Sequence, residues 1–227
     1  MTRQNVTPRT ANREAAAAQA AHGRSACYLT TFDPRYAPRI ASWVQSDQEL
    51  TWLAPGTPPP LTARKVTAWG KDRDHRIMFW DGLHHTPIGY TELSKMPEQP
   101  QAMWIGHFLL DPTQRRRSLG SYFARVMLSL AFVEYSATDV LLIVFPDNAA
   151  AIRCYERAGL VVTGQERKYF EQTARRHTFL RMEINRARYR RLVGADRLPA
   201  DPLPFIPANG AEKPPASLDD RWVSPPL

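Results

Sequence analysis

The chain has 227 residues with 43% hydrophobic content, enough for one ordinary globular core with tails. Its net charge of +8 divides as +3 over residues 1–25, +3 over 26–184 and +2 over 185–227, so no part is basic enough to mark a nucleic-acid-binding protein. Only Cys27 and Cys154 are present, which argues against a disulfide framework and for the cytoplasm, and no stretch reaches the roughly eighteen apolar residues of a membrane span.

Residues 1–24 show no sustained apolar period and read as a mobile arm with a helical stub around Arg13 to Ala21. Ala26 to Phe32 is β-branched and aromatic enough for a first strand, which Asp33-Pro34 ends. From Tyr36 to Gln48, Ile40, Trp43 and Val44 fall at helical spacing, with Pro38 confining the helix to the residues after it. A second helix is expected over Leu61 to Trp69, after the breaker at residues 56–60.

Ile77 to Trp80 and Pro87 to Leu93 read as a hairpin around Asp81-Gly82. His84 and His85 lie in that turn without a cysteine or carboxylate at ligand spacing, so they read as solvated loop residues rather than a metal site. Met103 to Leu110 is the expected central strand, and Gly106 inside it marks a bulge or a close backbone approach. Leu119, Tyr122, Phe123, Val126, Met127, Leu130 and Val133 form one helical stripe and are expected in the core. Val140 to Phe145 is continuously apolar, as a strand buried on both faces would be. Asn148 caps the next helix, Ala149 to Ala158, and Gly159 stops it; Leu160 to Arg167 and Arg175 to Ile184 read as the last two strands. Residues 192–227 carry eight of the twenty prolines and read as a disordered or surface-laid tail.

Two stretches carry chemistry. The central strand breaks at Asp111-Pro112 into Arg115-Arg116-Arg117, and Ser118-Leu119-Gly120-Ser121 then opens a helix. Unpaired backbone N–H groups and the positive dipole end at such a helix start make a cradle for phosphate, although the same residues also read as a solvated turn capped by Ser118. The second stretch runs from Asn148 to Leu160 and comes after another apolar strand.

Together the two resemble the GNAT superfamily of N-acetyltransferases. The family's first motif reads Arg/Gln-x-x-Gly-x-Gly/Ala and its second Asn-x-x-Ala-x-x-x-Tyr-x-x-x-Gly-Phe. Asn148, Ala151, Tyr155 and Gly159 match the second, with Leu160 in place of the phenylalanine. Arg115 to Gly120 align with the first, with Ser118 where a glycine is usual. The resemblance runs from about Cys27 to Ile184 and implies an α/β fold: a mixed, mostly antiparallel central sheet, flanked by helices on both faces and splayed at its central strands. The expected domain covers residues 25–190, between the arm at 1–24 and a tail at 191–227.

By that resemblance the chain transfers an acetyl group from acetyl-CoA, as co-substrate and without a metal, to a primary amine on a small molecule or a protein N-terminus. The amine attacks directly in a ternary complex. The resemblance also implies that Leu109 and Leu110 pair with the pantetheine amides, and that Arg115, Arg116, Arg117, Ser118, Leu119, Gly120 and Ser121 hold the pyrophosphate. It makes Tyr155 the general acid at the thioester sulfur. Asn148 serves either as a cofactor ligand or as a plain helix cap. Both His107 and Glu92 are candidates for the general base. Trp43, Trp52, Leu53 and Trp69 either line the acceptor groove or belong to the core. A non-catalytic acyl-CoA-binding regulatory module is the alternative, kept open by Ser118. An RNA-associated role lacks the aromatic platforms and basic stripe such binding needs. Membrane binding is not expected, and a homodimer stays open.

Overall fold

The computed structural model describes residues 27–70, 75–195, 203 and 205–206; the expected arm with its helical stub and most of the proline-rich tail lie outside the described residues. The strands are β1 (Cys27–Thr31), β2 (His75–Asp81), β3 (Thr86–Met96), β4 (Gln99–Leu110), β5 (Asp139–Val144), β6 (Val161–Phe170), β7 (Arg175–Asn185) and the two-residue β8 (Phe205–Ile206). They form one sheet in the order β6-β7-β5-β4-β3-β2-β1-β8. Among these pairs, β4–β5 and β1–β8 are parallel and the rest antiparallel.

The helices are α1 (Ala37–Ser42), α2 (Asp47–Leu53), α3 (Ala63–Ala68), α4 (Leu119–Ser129), α5 (Ala149–Ala158) and α6 (Arg186–Val193). Alternation along the strands sorts them onto two faces. Ile77 and Phe79 of β2 join Phe123, Met127 and Tyr155 in one buried cluster, whereas Met78 and Trp80 join Ile40, Trp43, Leu50 and Val66 in the other. One face is therefore covered by α4 and α5, the other by α1 to α3.

The expected elements form with particular differences. Pro38 is accommodated inside α1 because it falls in the first turn, where its missing N–H has no partner to lose. The helix expected up to Gln48 instead ends at Ser42, and α2 begins after Ser46. Ser46 Oγ accepts from the Glu49 amide at 3.2 Å and Glu49 Oε2 from the Gln45 amide at 3.0 Å, so the Ser-x-x-Glu spacing that announces a capped helix is present in the sequence. In the core stripe, Val133 is 45% exposed while Phe132 is buried. The chain turns π-helical over Leu130–Glu134, and the wider turn rotates the register by about one residue.

Past the last expected strand, α6 folds back on the core, with Tyr189 buried and its ring 4.6 Å from that of Phe132. Farther on, Phe205–Ile206 pairs with Leu29–Thr30, so at least this part of the expected tail lies along the sheet edge. Among the described residues no helix is long and apolar enough to cross a membrane.

Candidate active site at the splayed strands

The parallel ladder between β4 and β5 holds only at Ala102–Asp139, Met103–Val140 and Trp104–Leu141, although both strands continue beyond it. The divergence has a local cause. Tyr90 pairs with Leu109 and Glu92 with Gly106, so one extra residue of β4 is accommodated opposite Thr91, and the bulge bends the strand away from β5. Gly106 marks the place, but the left-handed residue is His107, with φ at +43°. A cavity of about 960 Å³ runs through the gap, with Ile105 to Leu110 on one wall and Leu142 to Val144 on the other.

Backbone direction distinguishes the two leucines expected to meet pantetheine. Asp111 N–H donates to the Ile88 carbonyl at 2.9 Å, on the β3 side; since backbone groups alternate sides along a strand, Leu109 also faces β3 and Leu110 faces the gap. The Leu110 carbonyl accepts from Arg115 Nε at 3.3 Å.

At the mouth of the gap α4 begins at Leu119. Ser118 precedes it in the left-handed region, at φ +60°, and makes no side-chain cap. Serine thus adopts a conformation in which glycine is favoured, and the cap expected of its hydroxyl is replaced by open N–H groups. The three arginines separate. Arg115 donates to Glu49 Oε1 at 2.7 Å and to the Trp43 carbonyl at 2.8 Å, tying α1 and α2 to the loop. Arg115 and Arg116 line the cavity and Arg117 does not; Arg153 and Arg157 of α5, missed in the sequence, line it as well. Gly120 and Ser121 also line it. A Cβ on Gly120 would lie 3.1 Å from Cys154 Sγ, so this glycine lets α4 and α5 approach one another.

Asn148 Oδ1 accepts from the Ala151 amide at 3.1 Å, the cap of α5, and the residue borders the cavity too. Tyr155 lies farther along α5, its ring edge-on to Phe108 at 5.7 Å. Burial, reinforced by neighbouring Cys154, pushes its phenol above the ordinary tyrosine range, so it stays protonated. None of the described residues hydrogen-bonds its hydroxyl, and the residue lines the cavity. The Cys154 thiol is pushed up to about 11, chiefly by burial, which keeps it out of the thiolate form near neutrality.

On the opposite face of the sheet the two base candidates meet. Glu92 is fully buried. Its Oε1 accepts from the Tyr90 hydroxyl at 2.8 Å and lies 2.9 Å from His107 Nδ1. The approach at Nδ1 does not have the geometry of a hydrogen bond. Trp69 stacks on the imidazole at 4.3 Å and 9°. Of the four residues expected in a groove or in the core, Trp52 and Leu53 line the cavity, while Trp43 and Trp69 are buried. Trp52 Nε1 also donates to Asp147 Oδ1 at 3.1 Å, linking α2 to the turn before α5. His84 bonds Asp81 at 2.7 Å, and no group of three or more His, Cys, Asp or Glu among the described residues could hold a metal.

A model of the acetyltransferase (GNAT) family matches residues 38–160, more than half of the chain and all of the splayed region. The chain belongs to the GNAT acetyltransferase family. Solved structures share this fold. The aminoglycoside acetyltransferase AAC(6')-Ib, solved with coenzyme A, aligns over 73% of this chain and 98% of its own at 20% identity, with a TM-score of 0.58. Spermidine N-acetyltransferase from Vibrio cholerae, with CoA and spermine, covers 73% and 98% at 16% identity, TM-score 0.60. Mycobacterium smegmatis RimJ, with CoA-disulfide, covers 75% and 90% at 17% identity, TM-score 0.60. In this GNAT chain the family match starts at Pro38 in α1 and ends at Leu160, just past the α5 stop.

Proposed function

We propose that this GNAT chain is an acetyl-CoA-dependent N-acetyltransferase that acts in the cytoplasm on a primary amine, carried by a small molecule or a protein N-terminus. The observation that carries the reading is the gap between β4 and β5, with open N–H groups at its mouth and the Tyr155 phenol inside it. Acetyl-CoA fits such a gap: the extended pantetheine arm meets strand backbone at Leu110, and the pyrophosphate meets the start of α4, with Arg116 and Arg153 adding charge. Leu119, Gly120 and Ser121 contribute backbone, and Asn148 acts through the α5 cap.

The neutral amine attacks the thioester carbonyl carbon and a C–N bond forms. The nitrogen gives up a proton, the C–S bond breaks, and the departing thiolate takes the proton of the Tyr155 hydroxyl. Solvent carries the amine's proton away and reprotonates the phenolate. A regulatory acyl-CoA-binding module was favoured only by Ser118 in place of glycine. Ser118 adopts the left-handed conformation glycine would take, which supports the catalytic reading.

The test is free-thiol release from acetyl-CoA over a panel of amines and N-terminal peptides, with mass spectrometry of the acceptor. Thiol and acetylated amine should appear in equal amounts. Tight acetyl-CoA binding with no acceptor modified anywhere in the panel would favour the regulatory module.

A further inference from the structure

On the α2 side the cavity is walled by half-buried aromatic rings. Trp104 is the last residue of β4 that pairs with β5, so it stands where the two strands part. Its neighbours Met103 and Ile105 belong to the cluster beneath α4 and α5, so alternation turns the Trp104 side chain to the face that carries α1 to α3. Trp52 of α2 and Phe170 at the end of β6 line the same cavity, and Phe170 meets Phe179 of β7 edge-on, with the ring centres 6.0 Å apart.

The chain from α2 onward closes over these rings. Leu50 anchors α2 in the cluster that holds Tyr90 of β3 and Leu109 of β4. The far end of the helix is tied to the opposite wall. Trp52 Nε1 donates to Asp147 Oδ1 at 3.1 Å, in the turn before α5, and the Pro55 carbonyl accepts from Thr173 Oγ1 at 3.0 Å, in the turn between β6 and β7. A Cβ on Gly56 would stand 3.2 Å from the Phe170 ring, so the backbone passes directly over that ring. A chamber bridged by chain in this way suits a small molecule better than a segment emerging from a folded protein.

Charge narrows the occupant further. Among the described residues two carboxylates line the cavity, Glu49 and Glu92, and both are engaged. Glu49 takes Arg115 at 2.7 Å and the Gln45 amide at 3.0 Å, while the buried Glu92 accepts from the Tyr90 hydroxyl at 2.8 Å. Lys168 Nζ lies 4.8 Å over the Trp104 ring, and its partner Glu166, at 3.3 Å, is shared with Arg181 at 3.4 Å. A molecule with several ammonium groups would meet a cation at this wall and no free carboxylate among the described lining residues, so each extra charge would lose water without gaining a partner. An aromatic body meets what the wall offers, ring faces and edges. Removing water from a single ammonium also lowers its pKa, which favours the neutral amine that attacks.

We infer that the acceptor is a small primary monoamine with an aromatic body, held beneath α2, with Trp52, Trp104 and Phe170 as the residues that determine specificity. This rests on the acetyltransferase reading and narrows its acceptor.

Calorimetry of the full chain loaded with CoA, titrated in turn with phenethylamine, spermidine and a peptide with a free N-terminus, reads the chamber without turnover. Phenethylamine should bind at least about tenfold more tightly than either of the others. With acetyl-CoA, its kcat/KM should exceed theirs by a similar factor. Trp104→Ala should raise the KM for phenethylamine by about tenfold while the KM for acetyl-CoA stays nearly unchanged, and Trp104→Phe should restore most of the loss. Should Trp104→Ala fail to fold, the ranking of the three amines on the wild-type chain still decides. Tighter binding or faster acetylation of spermidine or the peptide, or no binding of phenethylamine, would overturn the proposal. Spermidine or peptide acetylated in preference defeats this acceptor and upholds the acetyltransferase reading, whereas phenethylamine bound with no acetyl transferred defeats that reading and leaves the chamber's preference standing.

Discussion

Gly70 and Glu92 are in such close contact that a methyl group on the glycine would enter the carboxylate: its Cβ would be 2.7 Å from Cδ and 2.8 Å from Oε1. Glu92 cannot retreat, because Tyr90 and His107 both close on its Oε1. The left-handed φ of +55° at Gly70 adds a second penalty for any side chain. Gly70→Ala is therefore expected to destabilise the fold by roughly 1–3 kcal/mol, read by urea denaturation. Wild-type stability in this variant would mean that the α3–β2 connection can move away from Glu92.

Tyr155→Phe separates donor from ring. The phenylalanine keeps the packing against Phe108 and removes the hydroxyl that the proposed mechanism uses to protonate the thiolate. Turnover should fall by roughly 10²- to 10⁴-fold while acetyl-CoA affinity and the melting temperature change little. Unchanged turnover, with chemistry shown to limit the rate, would remove Tyr155 from the mechanism.

Gly120 and Cys154 should be energetically coupled. The Gly120 Cβ would lie 3.1 Å from Cys154 Sγ, tighter than ordinary packing and with little room for the thiol to yield between helices. Gly120→Ala is expected to cost about 1–3 kcal/mol, and Cys154→Ala in the same chain to restore part of it. A double-mutant cycle with no interaction energy would show that α4 and α5 can separate freely.

Asp111, where β4 turns towards α4, links stability to pH. Burial alone would raise its carboxyl, but hydrogen bonds from the Thr113 hydroxyl and amide and the charge of Arg39 outweigh it, so the folded value lies below the ordinary one. A depressed carboxylate contributes its stability above the unfolded value, near pH 4, and loses it as pH falls through the folded value. The stability gap between wild type and Asp111→Asn, about 1 kcal/mol near neutrality, should be level from pH 5 to 8 and shrink below about pH 4. A gap that stays constant into strong acid would contradict this.

Removing residues 1–24 and 207–227 should leave a cooperatively folding domain that binds acetyl-CoA, because every described element lies between the two cuts. Cutting instead after Val193 removes the strand that pairs with Leu29–Thr30 and should lower the melting temperature. Loss of the cooperative transition after the first trimming would place part of the domain in the removed segments.

Local signals sufficed for elements whose partners are near in sequence. The cap at Asn148 and the stop at Gly159 bracket α5 as read, since both act within a turn of their own helix. The buried runs of β5 and the hairpin of β2 and β3 likewise carry their periodicity and turn residues with them. The loop from Arg115 to Ser121 was legible as a strand feeding a helix start. The α2 cap was written in Ser46 and Glu49 but was obscured by the apolar spacing from Ile40 to Val44, which favours a longer single helix.

Side-chain placement depends on contacts that no local pattern encodes. Arg115, which lines the cavity, is also tied to Glu49 and the Trp43 carbonyl, because those groups meet it only when α1 and α2 fold over the loop. Val133 leaves the helical stripe because a π turn shifts its register, while Phe132 packs against Tyr189 of α6. Glu92 and His107 were separate candidates in the sequence. It took the bulge in β4, the crossing of Gly70 and the stacking of Trp69 to bring them to 2.9 Å, since direction across neighbouring strands depends on register and register is set by the whole sheet.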